Sequence, residues 1–255
     1  MFKLLQTALV LFMVSRAPGA MAMPQTGAVT NLSTTAYVQS NSQRFYRDLK
    51  DLFAISPKRT DRALQPHTDF DDLYRQANAA QFELVQLTRH VAFISDTEAV
   101  LPGIKSRNRA EAKLEGELDG DVSRLTDLAR TSLVAEDIGS LVTAYEQLES
   151  RVEVVAVKNR FKQPKANGYR DLNLLVRLPQ SDMVAEVQIH LAPIAAIKNG
   201  AEHDIYEQIQ NLERRAKEQP LTELEQKRIA RLSQQSTDLY LNAWHQVLSG
   251  VREVA

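Results

Sequence analysis

"FKQPKANGYRDLNLLV", residues 161–176, begins as a basic loop and ends as an apolar strand. Pro164 and Gly168 are what a loop requires, because proline restricts its own φ angle and glycine reaches backbone conformations that other residues avoid. A plain connection does not require the two lysines, the asparagine and the tyrosine around them, or Asp171 and Asn173 directly afterwards. The loop therefore carries more polar chemistry than a turn needs.

Four runs of strand-forming residues predict a sheet around this loop. They span residues 128–134, 152–158, 172–178 and 184–191, and a turn with the sequence "PQSD" joins the last two. A short amphipathic helix over residues 138–148 separates the first two runs. Helices come before and after this β-α-β-β-β segment, so the sequence predicts an α+β fold in which helices pack on a mixed sheet.

The flanking helices are predicted from the spacing of apolar residues. Over residues 73–94 the apolar side chains recur at alternating intervals of four and three, which is typical of one buried face of a long helix. Further helices are predicted over residues 43–54 and 105–118, and Pro220 divides the C-terminal helical region in two. Together these elements predict a single domain over residues 43–250.

The N-terminus has the layout of a secretory signal peptide. Lys3 is followed by an apolar run that is shorter than the ~20 residues of a membrane span, and then by "AMA", a small-x-small cleavage pattern. We therefore expect residues 1–22 to be removed on export, without a stable membrane anchor, and residues 23–42 to form a flexible mature N-terminus. An uncleaved anchor or a misassigned start codon is the alternative. Loss of Lys3 and Arg16 would change the net charge from -1 to -3.

The bulk composition excludes several classes of function. The chain has 255 residues, of which 44% are hydrophobic and 25% charged, as in ordinary globular proteins. A net charge of -1 gives no global attraction to DNA or to anionic membranes, so any phosphate-binding surface must be local. The absence of cysteine excludes disulfides, cysteine metal sites and a thiol nucleophile.

Polar side chains occupy one face of the last predicted strand. Glu186, Gln188 and His190 alternate with apolar residues, so they share one face, which either meets solvent or forms the floor of a polar cleft. Asp127 precedes the strand at 128–134. If these two strands are neighbours, Asp127 and Glu186 would together hold a magnesium ion, which prefers one or two carboxylates with substrate phosphates and water.

Two clusters of basic residues accompany these carboxylates. Lys105, Arg109 and Lys113 are spaced by four along a predicted helix, with Arg107 off that line. A second cluster holds Lys158, Arg160, Lys162 and Lys165. It lies beside Tyr169, which we expect to be exposed. Either cluster could be a solvated surface, but cations, paired carboxylates and an aromatic ring together are what a phosphate-transfer site requires.

The sequence resembles the synthetase domain of the RelA/SpoT family of alarmone synthetases over roughly residues 100–210. The loop and strands "RFKQPKANGYRDLNLLV" and "AEVQIHL" are similar to the family's Lys-Pro-x-x-Gly-Tyr loop and Glu-x-Gln-Ile strand. "IKSRNRAEAK" resembles its ATP-binding basic helix, "DVSRLTDLARTSLV" its metal-binding strand, and "AEHDIYE" its Glu-His-x-x-Tyr helix. All five motifs occur in the family's order.

The resemblance implies a nucleotidyltransferase-like mixed sheet flanked by helices, and a transfer of the β,γ-pyrophosphate of ATP to the 3′-hydroxyl of GDP or GTP. The products would be a (p)ppGpp-type alarmone and AMP. The resemblance assigns Asp127 and Glu186 to catalysis and to Mg²⁺, with Glu186 helping to activate the 3′-hydroxyl. It assigns the ATP phosphates to Lys105, Arg107, Arg109 and Lys113. It assigns the acceptor nucleotide to Lys165, Asn167, Tyr169, Asn173, Gln188 and His203.

The chain departs from the family pattern at three positions. Asn173 occupies the place of a histidine, Arg130 the place of a glycine, and the arginine that usually follows on that strand is missing. The acceptor is therefore open to alternatives, namely an adenosine nucleotide or an RNA end. The family's hydrolase and regulatory domains are absent, so a small stand-alone form is implied, and such relatives often form homo-oligomers.

Export creates a conflict with a nucleotide substrate, because ATP and guanosine nucleotides are scarce outside the cytoplasm. An exported effector that acts inside another cell is one interpretation, and a non-catalytic nucleotide-binding module of the same fold is another. The paired carboxylates and the basic helix favour an enzyme, because a pure binding module would not need both carboxylates.

Overall fold

The computed structural model describes residues 30–217 and 219–249, which form a six-stranded mixed sheet with flanking helices. The strands are β1 (Lys58–Arg59), β2 (Thr97–Val100), β3 (Arg130–Ala135), β4 (Glu153–Asn159), β5 (Leu172–Arg177) and β6 (Val184–Leu191). The helices are α1 (Thr30–Ala54), α2 (Phe70–Ser95), α3 (Arg107–Glu117), α4 (Ile138–Glu149), α5 (Ala192–Asn199), α6 (Ala201–Ala216) and α7 (Glu223–Ser249). The predicted α+β fold is confirmed.

The strands lie in the order β1-β4-β5-β6-β3-β2. β3 and β6 are parallel, and every other neighbouring pair is antiparallel. Loops without a helix join β4 to β5 and β5 to β6, which are antiparallel pairs, whereas the chain passes through α4, β4 and β5 between the parallel strands β3 and β6. The pairing of β3 with β6 confirms that the strand after Asp127 is the neighbour of the strand that carries Glu186.

Helix α2 shows how local sequence sets the limits of a long element. Asp69 is its N-cap and accepts a hydrogen bond of 2.9 Å from the backbone N–H of Asp72. The helix ends at Ser95, and its C-cap Asp96 has a φ of 51°, which lies in the left-handed region. Most of the predicted apolar face is buried, but Ile94 is 41% exposed, because it belongs to the last turn before the chain leaves the helix.

Two features of the fold differ from the sequence-based expectations. The first helix begins at Thr30 and not at residue 43, so the described part of the expected flexible segment 23–42 is helical. Strands β1 and β2 were not predicted, because runs of two and four residues carry no readable alternation. The expected signal peptide, residues 1–22, lies outside the described residues.

Helices α6 and α7 pack against each other, and α7 also contacts α5, which follows β6 directly. A capping box opens α7: Thr222 Oγ1 accepts from the backbone N–H of Glu225, and Glu225 Oε2 accepts from that of Thr222, at 3.3 and 2.9 Å. This arrangement brings the C-terminal helix back over the end of the central strands. None of the helices in the described part combines the length and the apolar character needed to cross a membrane.

Candidate functional site

The candidate site is a cavity of about 630 Å³ over the centre of the sheet. Its floor includes Glu186, Gln188 and His190, which share one face of β6. On one side Arg130 of β3 pairs in register with Glu186, and on the other Asn173 of β5 pairs with Gln188. The polar face of this strand therefore forms the floor of a cleft, and the simpler expectation of a solvent-exposed face is wrong.

Glu186 and all six residues predicted to bind the acceptor nucleotide line this cavity. The six are Lys165, Asn167, Tyr169, Asn173, Gln188 and His203. They come from the loop before β5, from β5 and β6, and from α6, and these elements meet only in the folded chain. The structure thus brings the predicted acceptor site together, while the role of each residue stays a prediction.

The loop before β5 is held in one conformation by its own polar groups. The backbone N–H of Gly168 donates to the carbonyl of Lys165 at 2.8 Å, and the N–H of Lys165 donates to the carbonyl of Tyr169 at 3.1 Å. Gly168 has a φ of 79°, which favours glycine. Asn167 Nδ2 donates to Ser236 Oγ on α7 at 3.1 Å. Proline and glycine therefore shape the loop, and Asn167 fastens it to the C-terminal helix.

A buried hydrogen-bond network lies beneath this loop. Asp171 is fully buried and accepts from Arg160 Nη1 at 2.6 Å and from the Tyr169 hydroxyl at 2.9 Å. The Tyr169 oxygen also lies 2.7 Å from His190 Nε2. Because the only hydroxyl proton of Tyr169 points to Asp171, His190 Nε2 is the donor in that contact. Burial raises the pKa of Asp171, and the guanidinium of Arg160 opposes this effect.

Burial also sets the charge of the two rings in this network. It lowers the pKa of His190 to about 3, with further lowering from Lys198 and Arg160, so this imidazole is neutral at pH 7. Burial together with the carboxylate of Asp171 raises the pKa of Tyr169, so the phenol stays protonated. Neither ring therefore carries a charge near neutral pH.

Tyr169 is not exposed as expected. Only 6% of the residue is accessible, because its hydroxyl enters the buried network and its ring meets Tyr240 edge to face at 5.4 Å between centroids. The ammonium group of Lys165 lies 5.2 Å from the ring centroid. The ring still lines the cavity, and its predicted stacking against a nucleobase requires the flexible Lys165 side chain to move aside.

Asp127 forms a separate charged cluster with two of the predicted ATP-binding residues. Its Oδ2 accepts from Lys105 Nζ at 2.6 Å and from Lys113 Nζ at 2.7 Å. Burial alone would raise the pKa of Asp127, but the two ammonium groups outweigh it and hold the pKa below its ordinary value. Lys105 is buried and precedes α3, which begins at Arg107, so it does not share a helix face with Lys113 as predicted.

Asp127 and Glu186 supply the carboxylate oxygens that a magnesium ion prefers. Asp127 Oδ1 is buried without a hydrogen-bond partner among the described residues, so one carboxylate oxygen keeps its lone pairs. The backbone N–H of Glu186 donates to the carbonyl of Ala129 at 3.0 Å, which keeps the two carboxylate-bearing segments side by side. No group of three or more histidine, aspartate and glutamate side chains suited to a metal occurs in the described ranges. A metal here would share two carboxylates with water and substrate phosphates.

The two arginines of α3 lie differently from the lysines. Arg107 pairs with Asp71 at 2.7 Å, and its guanidinium lies 5.0 Å from the ring centroids of both Phe70 and Tyr74. Arg109 is exposed on the first turn of α3. The predicted basic cluster is therefore divided: its lysines neutralise Asp127, and its arginines face outward.

Helices α6 and α7 close one wall of the cavity with a buried carboxylate. Glu202 accepts from Ser236 Oγ and from the Tyr240 hydroxyl, both at 2.9 Å, and only 7% of it is exposed. His203 lies on the cavity rim, where its Nε2 is 3.2 Å from Glu207. Glu202 has no ion pair with a cation of the described chain.

Several residues of the cavity were missed from the sequence. They are Lys198, Glu202 and Tyr240, whereas Arg160 belongs to the predicted second basic cluster and Arg130 to the departures from the family pattern. Alternation along β3 places Arg130 on the same face as the later cavity residues of that strand, and this signal was available. The others depend on where α5, α6 and α7 fold back over the sheet, which no local pattern shows.

Solved structures with the same fold include two nucleotide-metabolising proteins. The small alarmone synthetase 2 from Bacillus subtilis is 20% identical, with a TM-score of 0.54, over 72% of this chain and 100% of that chain. A GTP pyrophosphokinase family protein from Streptococcus pneumoniae is 14% identical, with a TM-score of 0.51, over 72% and 96%. This chain has the alarmone synthetase fold. The type VI effector Tas1, in a complex with its immunity protein, is 22% identical with a TM-score of 0.49 over 72% and 96%.

No family model matches the sequence, and no curated protein matches it. At the identities found, the similarity to solved structures is one of fold. The chemistry of this chain must therefore be argued from its own side chains.

Proposed function

We propose that this protein is an ATP-dependent nucleotide pyrophosphokinase. The observation that carries the proposal is the convergence of Glu186 and six polar residues on one cavity, beside a separate cluster of Asp127 and two lysines. Two nucleotides require two phosphate-binding regions, and a general base such as a carboxylate near the acceptor hydroxyl assists the transfer between them. Glu186 belongs to the cavity, and its strand pairs with the strand that follows Asp127.

The proposed reaction moves the β,γ-pyrophosphate of ATP to the 3′-hydroxyl of the acceptor. The 3′-oxygen attacks the β-phosphorus, the bond from that phosphorus to the oxygen bridging to the α-phosphorus breaks, and AMP leaves with that oxygen and its electron pair. Glu186 takes the hydroxyl proton, and Asn173 orients the carboxylate by donating to Oε1 at 2.7 Å. Lys105 and Lys113, held at Asp127, would turn toward the ATP phosphates, joined by Arg107 and Arg109.

Asp127 and Glu186 would hold Mg²⁺ together with those phosphates. When bound, the ion supplies positive charge that neutralises the phosphate oxygens. In its absence the ammonium groups of Lys105 and Lys113 pair with Asp127 and keep its carboxylate ionised.

We propose a guanosine nucleotide, GDP or GTP, as the acceptor. Glu202 supports this choice, because a carboxylate can only accept hydrogen bonds and each of its oxygens keeps a free lone pair after Ser236 and Tyr240 have donated. Guanine presents two adjacent donors, N1–H and the 2-amino group, to such a carboxylate. Adenine presents N1 as an acceptor at the corresponding edge, and the carboxylate of Glu202 would repel it.

The test is an assay of the purified protein, residues 23–255, with Mg²⁺ and γ-labelled ATP. GDP, GTP, ADP, ATP and RNA are offered as acceptors in separate reactions. We expect a labelled product and AMP with GDP or GTP, and loss of both in Glu186→Gln with the circular dichroism spectrum unchanged. If only adenosine nucleotides or RNA gave a labelled product, the proposal of a guanosine acceptor would be wrong. If no acceptor gave a product, the proposed pyrophosphokinase activity would be contradicted.

We propose further that the protein is exported and processed after Ala22, on the layout of residues 1–22. The intact mass of the secreted protein tests this directly. The expected mass corresponds to a chain that begins at Met23, and a mass that still includes Met1 would contradict export by cleavage.

A further inference from the structure

Arg130 carries a guanidinium group without a partner. Its side chain lines the cavity, yet it makes no hydrogen bond and no ion pair with any residue of the described chain. Nε is buried as well as unpaired. A guanidinium has five N–H donors, and the buried Nε–H of Arg130 costs free energy unless a ligand supplies an acceptor.

The position of Arg130 is fixed by its backbone. Gln81 of α2 accepts from the Arg130 N–H at 2.8 Å and donates to the Arg130 carbonyl at 3.0 Å. The strand register sets Arg130 beside Glu186, the proposed base. The backbone from which the Arg130 side chain projects is therefore fixed beside the strand that carries Glu186.

Lys198 supplies a second cation at the same place. It lies near the end of α5 and donates to Gln188 Oε1 at 2.9 Å, and no carboxylate of the described chain pairs with it. Gln188 follows Glu186 by two residues on the same face of β6. Burial lowers the pKa of Lys198, and Asp171 and Glu186 oppose this. Lys198 is thus a partly buried cation whose only hydrogen-bond acceptor in the described chain is a neutral amide.

The other cations of the cavity are differently engaged. Arg160 pairs with Asp171 at 2.6 Å, and Lys165 is exposed above the Tyr169 ring. Arg130 and Lys198 are therefore the two cavity cations that are partly buried and that pair with no carboxylate of the described chain.

We propose that Arg130 and Lys198 form an anion site that binds a phosphate group of a nucleotide beside Glu186. The inference rests on the proposed function for the identity of the nucleotides, but the anion site itself follows from the unpaired cations. The phosphates come either from the 5′ end of the acceptor or from the pyrophosphate that ATP transfers. Arg130 would bind two phosphate oxygens with its planar fork, and Lys198 would bind one as a point charge.

The experiment measures binding calorimetrically, without catalysis, for the wild type, Arg130→Gln and Lys198→Gln. Arg231→Gln, which removes an exposed cation on α7 outside the cavity, is the matched control. The ligands are GDP, guanosine and a non-hydrolysable ATP analogue, each added alone with Mg²⁺. Arg130→Lys keeps the charge but loses the fork, and it provides a second variant at this position if Arg130→Gln does not fold.

We expect roughly tenfold or greater loss of affinity for a phosphate-bearing ligand in both cavity variants, and no change for guanosine. Loss confined to GDP assigns the site to the acceptor phosphates, and loss confined to the ATP analogue assigns it to the transferred group. Affinities equal to those of Arg231→Gln, or a wild type that binds none of the ligands, would overturn the proposal. If the variants lost phosphate-dependent binding but the wild type transferred no pyrophosphate, the anion site would stand and the proposed enzyme activity would be rejected. If the wild type transferred pyrophosphate but the variants kept its affinities, the activity would stand and the anion site would be rejected.

Discussion

Asn173 Nδ2 donates a hydrogen bond of 2.7 Å to Oε1 of Glu186 across the β5–β6 pair. Asn173 is buried, and its strand partner in register is Gln188, so the amide reaches diagonally to the carboxylate. A neutral amide in this place holds Glu186 without adding charge. A carboxylate in this place would compete with Glu186 for protons and cations.

Asn173→Asp should therefore shift the pH dependence of the reaction. Two adjacent carboxylates raise the pKa of one of them, so the acid limb of the kcat profile should move to higher pH by about one unit or more. Asn173→Ala removes the donor without adding charge and should lower kcat while leaving the acid limb nearly in place. Steady-state rates of AMP release from pH 5 to 9 provide the measurement. If both variants had the same profile as the wild type, Asn173 would not be a positioning residue.

The cluster around Asp127 gives a prediction for stability. Asp127→Asn leaves Lys105 and Lys113 without their counter-charge, and Lys105 is only 7% exposed. Breaking such a buried pair should lower the free energy of unfolding by about 3 kcal/mol, measured by urea titration without nucleotide or metal.

Lys58→Gln is the control for this experiment, because it breaks the exposed pair with Glu149 and should change stability by less than ~1 kcal/mol. The pKa of Asp127 is lowered in the folded state, so its contribution is present above the pKa of the unfolded aspartate. That contribution is lost as pH falls through the lower, folded pKa. Equal effects of the two variants would mean that the buried cluster stabilises no more than a surface pair.

His190 gives a prediction for acid sensitivity. Its pKa is about 3 in the folded state, mainly because of burial, against an ordinary value near ~6.5 in the unfolded chain. Between these values the unfolded state binds a proton that the folded state does not, so stability falls as pH decreases from 6.5 toward 3. At pH 5 this loss amounts to roughly 2 kcal/mol relative to pH 7.

His190→Gln tests this linkage, because the amide keeps a donor for the Tyr169 oxygen but does not titrate. The variant should lose less stability than the wild type when urea unfolding is compared at pH 7 and pH 5. Titration of other groups affects both proteins equally, so the difference between them isolates residue 190. An identical loss in the two proteins would contradict a neutral, buried His190.

Much of the fold could be predicted because the strands carry their own signals. β6 occupies the predicted residues Val184–Leu191, and its alternation placed Glu186, Gln188 and His190 on one face. The burial of Tyr169 could not be predicted, because it depends on Tyr240, which lies on a helix 71 positions later in the chain. The unpaired state of Arg130 also depends on tertiary structure, since it is a property of all the elements that surround the cavity.

Glu202 gives the sharpest prediction about the acceptor. Glu202→Gln replaces a carboxylate, which only accepts hydrogen bonds, with an amide, which accepts hydrogen bonds at its oxygen and donates them from its nitrogen. A pair of hydrogen bonds to a base edge is worth roughly 1–3 kcal/mol of discrimination, so GDP affinity should fall by about tenfold to a hundredfold. ADP affinity should stay the same or rise, because the amide matches the donor and acceptor of the adenine edge.

Glu213→Gln is the matched control, since it makes the same substitution at an exposed position of α6 that does not line the cavity, eleven residues further along. Calorimetry with GDP and ADP on the wild type and both variants provides the comparison. Glu202 also accepts hydrogen bonds from Ser236 and Tyr240. If the substitution merely disordered this wall of the cavity, the affinities for GDP and ADP would fall alike. A selective loss of GDP binding is what base recognition by Glu202 requires. Equal losses of GDP and ADP affinity, or no loss of either, would mean that Glu202 does not recognise guanine.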